Sequence, residues 1–352
     1  MVADSTLVST APSGVDTEMA FRSHSSYVRA LAFEAGMTRD ADHLTSLKSV
    51  DAAVRRAPAL QPHSDKVDYE QVRRSLTAAW STELLLATTA ELMIEDELIR
   101  VSNNWAVIQA YYAVYHATQA LHVARGCQRP ENHPATRNLY RAHWVNRRID
   151  LPPWSLGVAN RQVTNLPDGR VADLTVSNLV TVTPATQLSL ICKALATTWD
   201  HAFEERCAAE RKRKLAKRRK EVQAENERRA EKGRDPLSLP GQQSLSKNEK
   251  QKLVETTQPA TLIDYLYRLR IKANYQDGEM FIVGPTDDFT SRQVLDALRY
   301  LIAATLLIHE VNIAQLVDLS RFYDWHVEWL ERTSQRESAF GLAGRSFLFE
   351  PF

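Results

Sequence analysis

The chain has 352 residues, 44% of them apolar and 25% charged, with a formal net charge of +1 and only 11 glycines. That balance supports a sizeable buried core and excludes a collagen, a disordered chain or a hairpin-rich β protein. Charge near zero makes no whole-molecule statement about nucleic acid or membrane. Cys127, Cys192 and Cys207 lie far apart with no CxxC pair, so neither a disulfide framework nor a zinc site is expected.

Ala, Leu, Glu and Arg recur at helical spacing, which predicts a mainly α fold. Residues 1–18 read as loose and lack the basic start and apolar run of a signal peptide, so a cytoplasmic, reduced protein is expected. Weak helical patterns at residues 18–36 and 42–57 precede a proline-containing break at 57–66. From Asp68, a plausible N-cap, Val72, Leu76, Trp80, Leu84 and Leu85 predict a helix to about Arg100. The acidic cluster Glu95-Asp96-Glu97 reads as a solvated face. Ser102-Asn103-Asn104 reads as a break, and a helix over 105–125 then ends at Gly126.

The proline-punctuated region 129–183 holds a Val/Thr-rich stretch, VADLTVSNLVTVTPAT, that suits one or two short strands. A helix resumes near Thr186 and enters a charged tract, followed by a linker, DPLSLPGQQS. Helical pattern returns from Thr261 and again from Thr290 to Leu316. The apolar stretch at 300–308 ends at His309-Glu310, short of the roughly 20 residues of a membrane span, so no membrane partner is expected. The aromatic tail 321–352 is expected to dock on the core. Phosphate-cradling loops and a GxSxG elbow are absent, and His116 and His122, six apart, do not converge on a metal. No cofactor or metal is expected.

The segment NWAVIQAYYAVYHATQALHVARG, residues 104–126, resembles the central helix of the HEPN superfamily. Its core is carried by Tyr111, Tyr112, Tyr115 and His116, with His133 at the position of a following loop histidine. A second match, Arg270-Ile271-Lys272-Ala273-Asn274-Tyr275, looks like the R-x-x-A-D-Y stretch of a later helix, with Asn274 in place of Asp. The resemblance implies a four- to five-helix bundle built from residues 19–143 and 260–320. An inserted subdomain at 144–259 would carry a long charged helix or helical hairpin. It also implies a homodimer and an RNA-directed role, of which a ribonuclease effector in a toxin or phage-defence system is the catalytic form. Two other readings stay open: a non-catalytic module that binds a nucleotide, nucleic acid or partner protein, and a structural assembly protein. The same aromatic residues also suit a plain buried stripe on a bundle helix.

Catalytic members of that superfamily use an Arg and a His spaced by four to six residues. Histidine can move the 2′-hydroxyl proton near neutral pH, and arginine can stabilise the charge that develops on phosphorus. Three pairs here have that spacing, about as many as chance provides. Arg56–His63 spans prolines, and Arg321–His326 lies in the tail. Arg137, Asn138 and His143 are therefore the candidate catalytic set, against the alternative of loop or capping contacts. Residues 211–220 form the candidate nucleic-acid-binding tract, through Arg211, Lys212, Arg213, Lys214, Lys217, Arg218, Arg219 and Lys220. The tract has no interleaved aromatics, and the acidic residues after it could pair with it as a solvated charged helix.

Overall fold

A computed structural model describes residues 14–38, 43–92, 96–276, 278–283, 288–333 and 344–350. In chain order the helices are α1 (Gly14–Glu34), α2 (His43–Arg56), α3 (Tyr69–Leu92), α4 (Asp96–Ala124) and α5 (His133–Tyr140). A hairpin of β1 (Gly157–Ala159) and β2 (Gln162–Thr164) precedes α6 (Gln187–Glu231), α7 (Lys247–Thr256), α8 (Leu262–Ile271) and α9 (Gly278–Ile282). The chain closes with α10 (Asp288–Val317) and α11 (Leu319–Thr333). The mainly α expectation holds.

Helix α4 is the centre of the bundle. Its buried positions Ala106, Ala110, Ala113, Ala117, Ala120 and Ala124 are small, so the neighbouring helices α3 and α10 approach closely, with Val107, Tyr111, Val114 and Leu121 filling between them. The Asp68 carboxylate accepts from the Gln71 amide at 3.0 Å and caps α3 as expected. Val72, Leu76 and Trp80 are buried, whereas Leu85 is exposed and Leu86 takes the core position.

Several local expectations are corrected. Helix α1 already begins at Gly14, and the rest of the segment expected to be loose, residues 1–13, lies outside the described residues. The break expected at Ser102-Asn103-Asn104 is absent, because Ser102 Oγ donates back to the Ile99 carbonyl at 2.7 Å and all three residues lie inside α4. Residues 93–95 fall outside the described residues, as do the side chains of the Glu95-Asp96-Glu97 cluster. The only strands among the described residues lie at 157–164. The Val/Thr-rich stretch instead forms turns in which Asp173 accepts from Thr175 and Thr186 accepts from Thr183, local bonds that compete with strand pairing.

The apolar run read at 300–308 is part of a longer one. Thr290–Val317 is apolar enough by length and composition to cross a membrane, yet 89% of the window is buried inside the protein. His309 and Glu310 interrupt it without exposure because both are paired. His309 Nδ1 bonds the Thr305 carbonyl at 2.7 Å, which leaves Nε2 to accept from Trp144 Nε1 at 3.3 Å. Burial holds this imidazole down at about 4, so it is neutral at pH 7. The unfolded chain therefore binds more protons than the folded one between pH 6.5 and 4. This stability is complete above pH 6.5 and is lost as pH falls through 4, by up to about 3 kcal/mol. In urea denaturation, His309→Gln is expected to cost more at pH 7 than at pH 4.5.

Gly126 ends α4 with φ +80°, and the His63 and Ser64 amides both donate to the Arg125 carbonyl beside it. A Cβ at Gly126 would collide with the Ser64 carbonyl. Gly126→Ala is expected to lower unfolding free energy by about 2 kcal/mol or more in the same assay.

Residues 144–259 do not form a separate subdomain. Trp144, Ile149, Leu151, Trp154, Leu156 and the first part of α6 belong to the main core, which runs to Ala196 and resumes at Leu262. The distal part of α6, the return segment and α7 expose most of their residues, as a charged arm requires. At 45 residues, α6 is roughly 68 Å long. The return segment lies along it: Asn226 exchanges hydrogen bonds with the Leu237 backbone, and Lys214 pairs with Glu249 at 2.9 Å. The hairpin is thus one long helix, an extended strand of chain and a short α7. The tail docks as expected, with Phe322 and Phe349 fully buried.

Candidate functional site

The two family-like stretches meet. Tyr111, Tyr112 and Tyr115 of α4 surround His133, with ring centroids 5.5, 6.1 and 4.8 Å away, and Tyr267 of α8 closes the group at 5.8 Å. His133 stands at the start of α5, which is capped by Asn132 accepting from the Ala135 amide at 2.9 Å. Tyr111 Oη and His133 Nδ1 lie 2.7 Å apart. Burial raises the Tyr111 phenol, so it stays protonated. When His133 Nδ1 carries the proton it donates to Tyr111 Oη, leaving Nε2 with a free lone pair.

Arg270 enters from α8. Its guanidinium lies 5.5, 5.2 and 5.6 Å from the ring centres of Tyr111, Tyr112 and Tyr267. Arg270 is 8% exposed, yet among the described residues it has no carboxylate partner, and its Nε is buried without a hydrogen bond. Cation–π contacts offset part of the cost of desolvating that charge. Burial, then Arg270 and Arg137, lowers the His133 imidazole below its ordinary range. The site thus pairs a neutral histidine with a buried cation that lacks an anion.

Arg137 stacks over Tyr267 at 4.2 Å and donates to Asp264 at 3.2 Å. Arg141 donates to the other Asp264 oxygen at 3.1 Å and to Asn138 Oδ1 at 2.8 Å. Asp264 also accepts from the Thr261 amide and hydroxyl, capping α8. This carboxylate locks α5 to the start of α8. Turns of π-helix follow both helices, at Arg141–Val145 and Lys272–Gln276, and re-aim the residues beyond them.

The structure does not bring Arg137 and His143 together. His143 is fully buried on the π turn, where Arg125 donates to its Nδ1 at 3.4 Å and His122 stands 5.7 Å away. Burial and then Arg125 push its imidazole well below the ordinary range, and Nε2 has no partner among the described residues. A fully enclosed, neutral ring cannot meet an external substrate. Of the expected set, Arg137 lies at the cluster, Asn138 supports Arg141 and His143 faces inward. His116 stacks on Tyr112 at the edge of the cluster, while Asn274 and Tyr275 point to solvent.

Two adjoining cavities of about 360 and 370 Å³ open beside the cluster, between α6 and the α5–α8 pair. Both include Arg137, Asp264, Thr198, Ala202 and Arg206, and Arg141 and Arg268 line one each. Four arginines against Asp264 and Glu205 give this groove a net positive lining. Tyr267, Arg206 and Arg268 were not picked out by sequence reasoning, although Tyr267 stands three residues before Arg270, one helical turn away.

The basic tract divides by pairing. Arg211, Arg213, Lys214 and Arg218 pair with Glu204, Glu210, Glu249 and Glu221. Lys212, Lys217, Arg219 and Lys220 are exposed and have no acidic partner among the described residues.

No family model, no curated protein and no solved structure matches this chain.

Proposed function

We propose that this chain is a HEPN-like, RNA-directed protein that cleaves the RNA backbone at the His133 cluster. The carrying observation is a neutral His133 held beside a nine-tenths-buried Arg270 that has no carboxylate partner among the described residues. His133 Nε2 removes the proton of a ribose 2′-hydroxyl. The 2′-oxygen attacks the adjacent phosphorus, the bond from phosphorus to the 5′-oxygen breaks, and the leaving oxygen takes up a proton from solvent while His133 returns its proton to solvent. The products are a 2′,3′-cyclic phosphate and a 5′-hydroxyl. Arg270 and Arg137 hold the non-bridging oxygens, where negative charge grows.

The test is single-turnover cleavage of a labelled single-stranded RNA in EDTA. His133→Ala is expected to slow cleavage about 100-fold or more, with RNA affinity within threefold of wild type. Equal rates for the two proteins would overturn the assignment. Tight, Arg270-dependent binding without cleavage by the wild type would instead favour the non-catalytic nucleic-acid module.

A further inference from the structure

The side of α6 that walls the groove continues outward without interruption. Thr198, Ala202, Glu205 and Ala209 line the groove, and the same three- and four-residue steps continue through Lys212, Ala216 and Lys220. Lys217 and Arg219 flank this line on either edge. The return segment packs mainly on the opposite side of the helix, where Val222 is buried and Lys214 meets Glu249. It touches only the edges of this line, where Arg219 donates to the Pro240 carbonyl at 3.5 Å and Lys217 lines a cavity with Gln243 and Glu249. Lys212 and Lys220, exposed and without acidic partners among the described residues, therefore lie on the line that leads to Arg206, Arg137 and Arg268, while Arg211, Arg213 and Arg218 pair within α6 and Lys214 pairs with Glu249 of α7.

We infer that this line is a rail for an extended single strand of RNA, which runs from the arm into the groove. The inference rests on the reading of the groove as an RNA site. Cavities of 360 and 370 Å³ take nucleotide-sized groups and exclude a duplex. From Ala202 to Lys220 the helix rises about 27 Å, within reach of a strand in the ~4–16 nucleotide range of such grooves. Ala216, between Lys212 and Lys220, lets a backbone lie close. No aromatic side chain interrupts the arm, so it holds phosphates and ignores base sequence. No large apolar side chain lies on this line either, which disfavours insertion into a lipid surface.

The experiment measures anisotropy of labelled 4- and 12-nucleotide oligouridines against salt, for wild type, Arg270→Met and a quadruple variant (Lys212→Gln, Lys217→Gln, Arg219→Gln, Lys220→Gln). The exposed replacements should leave the circular dichroism and melting curves unchanged. For the 12-mer, the slope of log affinity against log salt is expected to fall by about 3 in the quadruple variant. The 4-mer is expected to bind the wild type and the quadruple variant equally and to bind Arg270→Met more weakly. An unchanged 12-mer slope, with 4-mer binding still dependent on Arg270, would overturn the rail and leave the groove reading standing. Failure of the wild type to bind either oligomer would remove both. Binding of the wild type, but not the quadruple variant, to phosphatidylserine-containing vesicles in place of RNA would replace the rail with a membrane contact.

Discussion

Arg345→Met is expected to destabilise the protein by about 3–5 kcal/mol at pH 7, because it strips the counter-charge from two buried carboxylates at once. The Arg345 guanidinium is fully buried between Glu83, at 2.6 and 2.9 Å, and Glu310, at 2.7 and 2.6 Å. Trp80 Nε1 donates to Glu310 at 2.8 Å and completes the group. Three elements distant in sequence, α3, α10 and the tail, are thereby tied at one point. Without the cation, two carboxylates remain inside the protein with nothing to balance them. Burial already raises the Glu83 carboxyl, while Arg345 outweighs burial at Glu310 and holds it below the ordinary range. After the substitution both rise and take up protons as pH falls. The loss in urea denaturation is therefore expected to shrink between pH 7 and pH 5. A Glu83→Gln/Arg345→Met double variant is expected to recover part of it, because only one charge is then left uncompensated. A loss below about 1 kcal/mol for Arg345→Met would show that the tail contributes little to the fold.

The opposite behaviour is expected of Arg270→Met. This arginine is also buried, but no carboxylate neutralises it among the described residues. Methionine keeps the apolar stem against Tyr111, Tyr112 and Tyr267 and removes the desolvated charge. The cation–π attraction that disappears with the guanidinium contributes about 0.5–2 kcal/mol, against a desolvation penalty of several kcal/mol for an unpaired buried ion. Unfolding free energy is expected to stay level or rise. RNA cleavage is expected to fall about 100-fold or more, the usual loss on removing one preorganised donor to a developing charge. Stability gained while activity is lost marks a residue kept for its site, a trade-off seen where function needs a strained arrangement. Destabilisation with activity retained would reduce Arg270 to a core cation.

Much of the fold was legible because its signals are local. The Asp68 cap, the Gly126 terminus and the periodicity of α3, α4 and α10 each depend on a few neighbouring residues. Ser246 and Glu249 form a capping box that starts α7, a signal masked by the charged residues around it. What misled were signals overridden by competing local hydrogen bonds. Ser102 satisfies its hydroxyl by bonding back along α4, and β-branched residues at 171–186 lose strand pairing to Asp and Thr turns. The site was half legible. The tyrosines, His133 and Arg270 could be picked out singly, but their meeting across some 150 residues of chain could not. His143 fits the expected spacing to Arg137, yet the π turn after α5 rotates it into the core, an irregularity that no periodicity encodes.

The most direct test of the central claim is the chemistry of the ends produced when the purified protein meets total cellular RNA in EDTA. Cleavage leaving 2′,3′-cyclic phosphates and 5′-hydroxyls, absent with His133→Ala, is the predicted result. Intact RNA, or cleavage that survives the loss of His133, would contradict the assignment of this cluster as the catalytic centre.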